Sequence, residues 1–357
     1  MKNKKLHLEL LRIIACFFVI FNHTGANGYE LYAAYPTQSM EYWLYMIPSV
    51  LCKVSVPMFF AISGSLLIDR EESLPVIFKK RVLKLVIVLF VFSLFYYLVS
   101  LDSLGEISAY NFFGTLYTYT WNFSFWYLYS FLIFLLCLPF IRALAKNLKD
   151  SHFYYLFGIA IVFDSLLPIA EYLLWKGEHS HYGAFSMSWA TATLFLYPCL
   201  GYFIEKRLDI TKMKKWLLPL WVLNIAGILI SCYMTFFRSK VTGNSTEAFF
   251  SSLVMVNVAT LFISAKYFYT VRSTKTKQSK GFDGFVATVG GCTFGIYLLH
   301  VFFLHELPAA QQLWTVLLDS WALKPMISAL IVCLAVFTVC CVITLIMKKI
   351  PLLNRLI

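Results

Sequence analysis

Ten stretches of the chain run mostly apolar for about 20 residues each, the length an α-helix needs to cross a hydrocarbon core. Their centres fall near Val19, Phe59, Phe92, Phe134, Ala160, Phe195, Ala226, Val258, Ile296 and Ala335. Polar positions gather in short stretches between them, without repeats or low-complexity tracts. The longest polar pieces, residues 25–42 and 102–123, read as loops on one side. The pattern predicts an all-α, polytopic integral membrane protein of about ten transmembrane helices, with residues 1–357 forming a single transmembrane domain.

Composition agrees with that class. Hydrophobic residues make up 60% of the chain and charged residues 13%, and the mean hydropathy is +0.73, values foreign to a water-soluble domain of this size. The net charge of +12 would suit a nucleic-acid binder, but its placement points to the lipid bilayer instead. With the N-terminus inside, all basic residues except Lys53, Lys176, Arg238, Lys240 and Lys324 fall on the inner side. That is the positive-inside asymmetry. It predicts that both termini are cytoplasmic, and it removes the reason to invoke nucleic acid.

The basic start, Lys2, Lys4 and Lys5 ahead of an apolar run, resembles a signal peptide. No small-x-small cleavage site follows, and Asn22-His23 interrupts the run, so a retained first helix is expected. The nine cysteines all lie in apolar stretches without C-x-x-C spacing, which argues for small buried hydrophobes over disulfides or zinc.

The first helix carries the clearest candidate chemistry. Eleven positions separate Arg12 from His23, a turn of about 1100° that leaves them roughly 20° apart on one face and about 16 Å apart along the axis. Ionisable groups in a spanning helix are costly and normally face a site or pathway. The competing reading is a snorkelling Arg12 and a His23 in the outer headgroup region.

Other segments carry weaker signals. In the second helix, Val54 to Ser65 combines a kinking Pro57 with small residues Ser63, Gly64 and Ser65 that permit close helix approach. Lys53, one turn before Pro57, reads equally as a site residue or a snorkelling lysine. Lys79, Lys80, Arg81 and Lys84 form a cluster suited to phosphates, or the ordinary basic flank of a spanning helix. Trp126 opens the fourth helix within an aromatic run that membrane-belt anchoring also explains. His300, near the outer end of the ninth, lies at a depth similar to His23 and either shares a cavity with it or is unrelated to it. His305-Glu306 lacks the second histidine of a zinc motif, so no metal is expected. His179 and His181 read as solvated loop residues. Asp164, mid-helix in the fifth span, is a functional candidate with no evident partner.

Together these segments resemble the membrane acyltransferase-3 family of bacterial integral-membrane acyltransferases. The resemblance covers nearly the whole chain. It rests on Arg12/His23, the Val54–Gly64 run, the Lys79–Lys84 cluster, Trp126–Leu128 and Gly295–His300; each is weak alone, but the five in this order are specific. It implies acetyl-CoA (or another acyl-CoA) as co-substrate, no tightly bound cofactor, and a cell-envelope glycan or lipid-linked sugar as acceptor in a bacterial inner membrane. Arg12 and His23 match the family's essential pair, and Arg81 with Lys84 its basic motif. Three positions depart: Lys84 for the usual arginine, Val86 for a common proline, and Ser124 for a common histidine.

A donor path follows from these expectations. The basic cluster would hold the phosphates of coenzyme A, Arg12 would line the neck, and the pantetheine arm would span the ~16 Å to His23. Neutral imidazole is a natural general base for a sugar hydroxyl, with Lys53 or His300 as oxyanion donors; a covalent acyl-histidine is the other route. The rival class is a secondary transporter, which embedded His, Arg and Asp residues also fit, although no matching pair of broken helices stands out.

Overall fold

A computed structural model describes residues 5–101, 106–180, 191–275, 280–320 and 325–357. Lys2, Lys4, His181, Lys277 and Lys324 lie outside the described residues. Helix α1 (Leu6–Asn22) is followed by α2 (Met40–Leu67), α3 (Leu74–Val99), α4 (Ala109–Thr118), α5 (Phe123–Asn147), α6 (Asp150–Trp175) and α7 (192–207). Then come α8 (Ile210–Thr242), α9 (Val254–Lys275), α10 (Lys280–Gly290), α11 (Thr293–Glu306), α12 (Pro308–Ser320), α13 (Pro325–Met347) and α14 (Pro351–Leu356). No strand occurs among the described residues. Seven of the described helices (α2, α3, α5, α6, α8, α9 and α13) are long and apolar enough to cross a membrane, or eight if α10 and α11 form one broken span. The two remaining apolar runs are α1, which has only 17 residues, and the run around Phe195, part of which lies outside the described residues.

The two expected loops contain helical structure. Residues 25–42 fold into short 3₁₀ turns, and α2 begins within them at Met40, where Ser39 Oγ accepts the Tyr42 amide at 3.2 Å. Inside 102–123, Ser108 caps α4 by accepting the Asn111 amide. In both places a serine side chain satisfies an amide that the helix cannot.

The chain divides into two compact units, residues 1–70 with 140–291, and residues 71–139 with 292–357. In the first unit α1 packs against the second half of α2, α9 and α10. Its N-terminal end is tied down by ion pairs: Glu205 on α7 takes Lys5 Nζ at 2.6 Å and His7 Nε2 at 2.9 Å. Lys266 Nζ meanwhile donates to the backbone carbonyls of Ile204 and Glu205. Burial pushes the Glu205 carboxyl up, but the bonds from His7 and Lys5 outweigh it and hold the group down at about 2. A carboxylate depressed in this way contributes its stability above the ordinary carboxylate range. That contribution fades as the pH falls through about 2.

Helices α2 and α7 cross in backbone contact through two glycines. A Cβ at Gly64 would overlap the Pro198 carbonyl, and one at Gly201 would overlap that of Ala61. Neither obstacle is a side chain that can rotate away. Gly64→Val is therefore expected to lower stability by at least about 1–3 kcal/mol, the usual cost of overpacking. A thermal melt of the purified protein in detergent checks this. An unchanged midpoint would mean the crossing is looser than drawn.

In the second unit, α11 packs on α13 with Gly295 against the Thr344 side chain. Tyr96 of α3 anchors α11 by donating to the Leu298 carbonyl at 3.1 Å.

Candidate functional site

Helix α1 stops at Asn22, so His23 sits at its C-cap with φ −97° and ψ 8°. The stop is local chemistry. Thr24 Oγ1 donates to the Phe21 carbonyl at 2.7 Å and accepts the Tyr29 amide at 2.8 Å, and Gly25 follows with φ +53°. This left-handed turn suits glycine. Arg12 and His23 thus lie on one helix and its cap, both half-buried, though His23 no longer has helical backbone angles.

Arg12 has a partner that the sequence reading passed over. Its Nη1 donates to Glu9 Oε1 at 2.7 Å, one turn earlier. Glu9 is only 6% exposed, and its other oxygen has no hydrogen-bond partner among the described residues. The spacing of three was visible in the sequence as a same-face pair.

Lys53 comes to the end of α1. Pro57 lacks an amide and cannot bond the carbonyl four residues back, which belongs to Lys53; the chain there tightens into a 3₁₀ turn, Cys52–Val54. The Lys53 ammonium donates to Asn22 Oδ1 at 3.0 Å and lies 4.3 Å from the Tyr29 ring centroid and 5.2 Å from that of Phe249. Two ring faces and an amide oxygen hold the cation by contacts that favour positive charge. Asn22, Tyr29 and Phe249 were not sequence candidates. Asn22→Ala should therefore lower activity mainly through kcat, with Lys53→Met lowering it further. A change confined to KM would place Lys53 in ground-state binding only.

The remaining candidates lie in the second unit. Arg81 lies within a π-helical turn, Phe78–Val82, and grips Glu72 with two bonds, Nε to Oε2 at 3.0 Å and Nη2 to Oε1 at 2.6 Å. Lys80 and Lys84 are exposed beside it. His300 is fully buried on α11, its Nδ1–H donating to the Tyr297 carbonyl at 2.6 Å, which selects the Nδ1-protonated tautomer. Tyr297 Oη donates to the Ser124 carbonyl at 2.6 Å, and its ring lies 5.4 Å from that of Tyr127. The aromatic run at Trp126 and the Gly295–His300 run therefore meet. Position 124 serves that junction through its backbone, while Ser124 Oγ donates to Asn122 at 2.8 Å. Trp126 itself is 39% exposed. No group of three or more metal-ligating side chains occurs among the described residues.

The five sequence segments thus fall into two constellations, one in each unit. Arg12, His23 and Lys53 belong to the first; Lys80, Arg81, Lys84, Trp126 and His300 belong to the second. A family profile described as an acyltransferase domain matches residues 6–345, running through both. No curated protein and no solved structure matches the chain. With that profile covering nearly its whole length, the chain belongs to the acyltransferase-3 family and is a membrane acyltransferase.

Proposed function

We propose that the protein transfers an acyl group, acetyl first among them, from acyl-CoA to a hydroxyl of a cell-envelope glycan or lipid-linked saccharide. The observation that carries this reading is the Lys53 ammonium held by Asn22 next to His23 at the end of α1. A base, and a fixed cation bonded to the residue preceding it, are what acyl transfer from sulfur to oxygen needs. His23 removes the proton of the acceptor hydroxyl as its oxygen bonds to the thioester carbon. The Lys53 ammonium steadies the negative charge that develops on the carbonyl oxygen. When the carbon–sulfur bond breaks, the imidazolium returns the proton to the departing CoA thiolate, so base and acid balance over one turnover. An acyl-histidine intermediate is the covalent variant.

Lys80, Arg81 and Lys84 take the donor's phosphates in this reading, with Trp126 and His300 contributing to substrate binding. Arg81→Gln with Lys84→Gln should raise KM for acyl-CoA more than it lowers kcat, and the effect should shrink for acyl-pantetheine, which lacks the nucleotide. Equal effects on both donors would return the cluster to an ordinary basic flank.

The chain resides in a bacterial cytoplasmic membrane with both termini inside, as its basic residues favour. Among members of the family it resembles the enzyme that O-acetylates enterobacterial common antigen, which makes that kind of glycan the first acceptor to test. Mass spectrometry of envelope glycans with and without the gene tests the whole reading. The expected difference is one acetyl mass per modified unit; identical glycans would remove the proposed reaction.

A further inference from the structure

Between α8 and α9 the chain turns back along α8 as an extended segment. Four positions of α8 spaced by four, Ser239, Thr235, Ser231 and Gly227, receive it in turn. Ser239 Oγ meets Ser245 Oγ at 3.0 Å, Thr235 Oγ1 accepts the Phe250 amide at 3.0 Å, and Ser231 Oγ accepts the Ser252 amide at 2.9 Å. Leu253, at φ +57°, packs over Gly227, and its amide crosses to Ser165 Oγ on α6 at 2.9 Å. Twelve residues of helix correspond to a descent of about 18 Å, so the segment reaches the middle of α8 before α9 begins.

Irregular backbone at such depth persists where it is buried in protein or lines a polar cavity. A cavity lies at its tip. It has a volume of about 180 Å³ and is lined among others by Asp164, Ser165, Tyr197, Ser251, Leu253 and Met255. Asp164 stands near the middle of α6, a helix long and apolar enough to cross a membrane, and its exposed carboxylate forms no hydrogen bond or ion pair among the described residues. A carboxylate beside the hydroxyl-bearing Ser165, Tyr197 and Ser251 suits a polar occupant.

The lining narrows its chemistry. Among the described residues Asp164 is the one anionic member of the lining, and it can only accept while ionised. The first turn of α9 opens on the same space through Val254 and Met255, and its leading amides are unpaired donors at the positive end of a 22-residue helix. A cation would face that positive end. A hydroxyl answers both sides, donating to the carboxylate and accepting from the amides. About 180 Å³ of space is many times the ~10–15 Å³ that one water requires, which leaves room for a ring bearing several hydroxyls.

We propose that this cavity binds a neutral polyhydroxylated ring, held by hydroxyl donation to Asp164. Resting on the proposed acyl transfer, the ring is the acceptor sugar. Phe249, which touches Lys53, and Ser251, which lines the cavity, lie two residues apart on the same extended segment. They project to one side, about 7 Å apart. One stretch of backbone therefore joins the sugar cavity to the Lys53 cation beside His23.

The test is binding, independent of turnover. The purified full chain, in a detergent without a sugar headgroup, is melted against rising concentrations of the methyl glycosides of glucose, galactose and N-acetylglucosamine. A saturable rise in Tm with at least one glycoside is expected. Asp164→Ala should weaken that ligand's apparent Kd at least about tenfold, as loss of a hydrogen bond to a charged group does, with Asp164→Asn intermediate. Ser251→Trp should abolish the rise, and His23→Ala should leave it intact. Binding that survives in His23→Ala while no acyl transfer occurs in any variant keeps the cavity and removes the reaction. No saturable rise with any glycoside, or a rise indifferent to Asp164, overturns the proposal. So does a rise caused by tetramethylammonium in place of the glycosides.

Discussion

Replacing His23 with alanine is expected to reduce acyl transfer by about 10²–10⁴-fold, the usual cost of losing a positioned general base. Expression and membrane insertion should hardly change. The cap of α1 is made by Thr24 and by the His23 backbone amide, which donates to the Ile20 carbonyl at 3.0 Å; alanine keeps both. The imidazole fills no closed core position, being half-buried. The measurement is turnover of purified, detergent-solubilised variant against a defined acceptor, with thiol release from acyl-CoA as the readout. Near-normal turnover in the variant would exclude His23 from proton transfer.

Arg12 presents a harder case, because it does two things at once. Arg12→Ala should lower activity by about 10²–10³-fold if the guanidinium stabilises charge during the reaction. The same change also strands the buried Glu9 carboxylate, and breaking a buried pair from one side costs about 3–5 kcal/mol. Loss of activity in that variant alone would be ambiguous. Arg12→Lys keeps the charge but not the planar fork, and should retain partial activity. The double change Glu9→Gln with Arg12→Gln removes both charges together, so it should melt near the wild type yet remain inactive. If the double variant is active, Arg12 serves only to neutralise Glu9.

The membrane class, the helical fold and the family were legible because each depends on patterns longer than a single contact. Twenty-residue apolar runs follow from bilayer thickness, and five ordered motifs follow from shared descent. The contacts that decide the site were less visible. Lys53 read equally as a site residue or a snorkelling lysine, because nothing in the neighbouring sequence reveals that Asn22, Tyr29 and Phe249 surround its ammonium. Phe249 lies nearly two hundred residues away along the chain. The hydroxyl stripe of Ser231, Thr235 and Ser239 was readable in principle, since its spacing of four places it on one helix face. What it receives is extended backbone, which leaves no periodic signature. Loop readings failed at Met40 and Ala109 for a related reason: polar and aromatic residues near a membrane surface form capped helices as readily as they form connections.

Arg81 already holds what an incoming phosphate would offer it, two parallel bonds to a pair of oxygens on Glu72. Anion binding at this arginine is therefore an exchange between rivals, and only the difference between them counts toward affinity. A lone carboxylate arriving from solution gains little over the resident one. A phosphate, with more oxygens and more charge, can displace it or share the guanidinium. Glu72 thus acts as an internal standard that sets a minimum charge for any ligand admitted there, and it keeps the arginine ordered when none is bound.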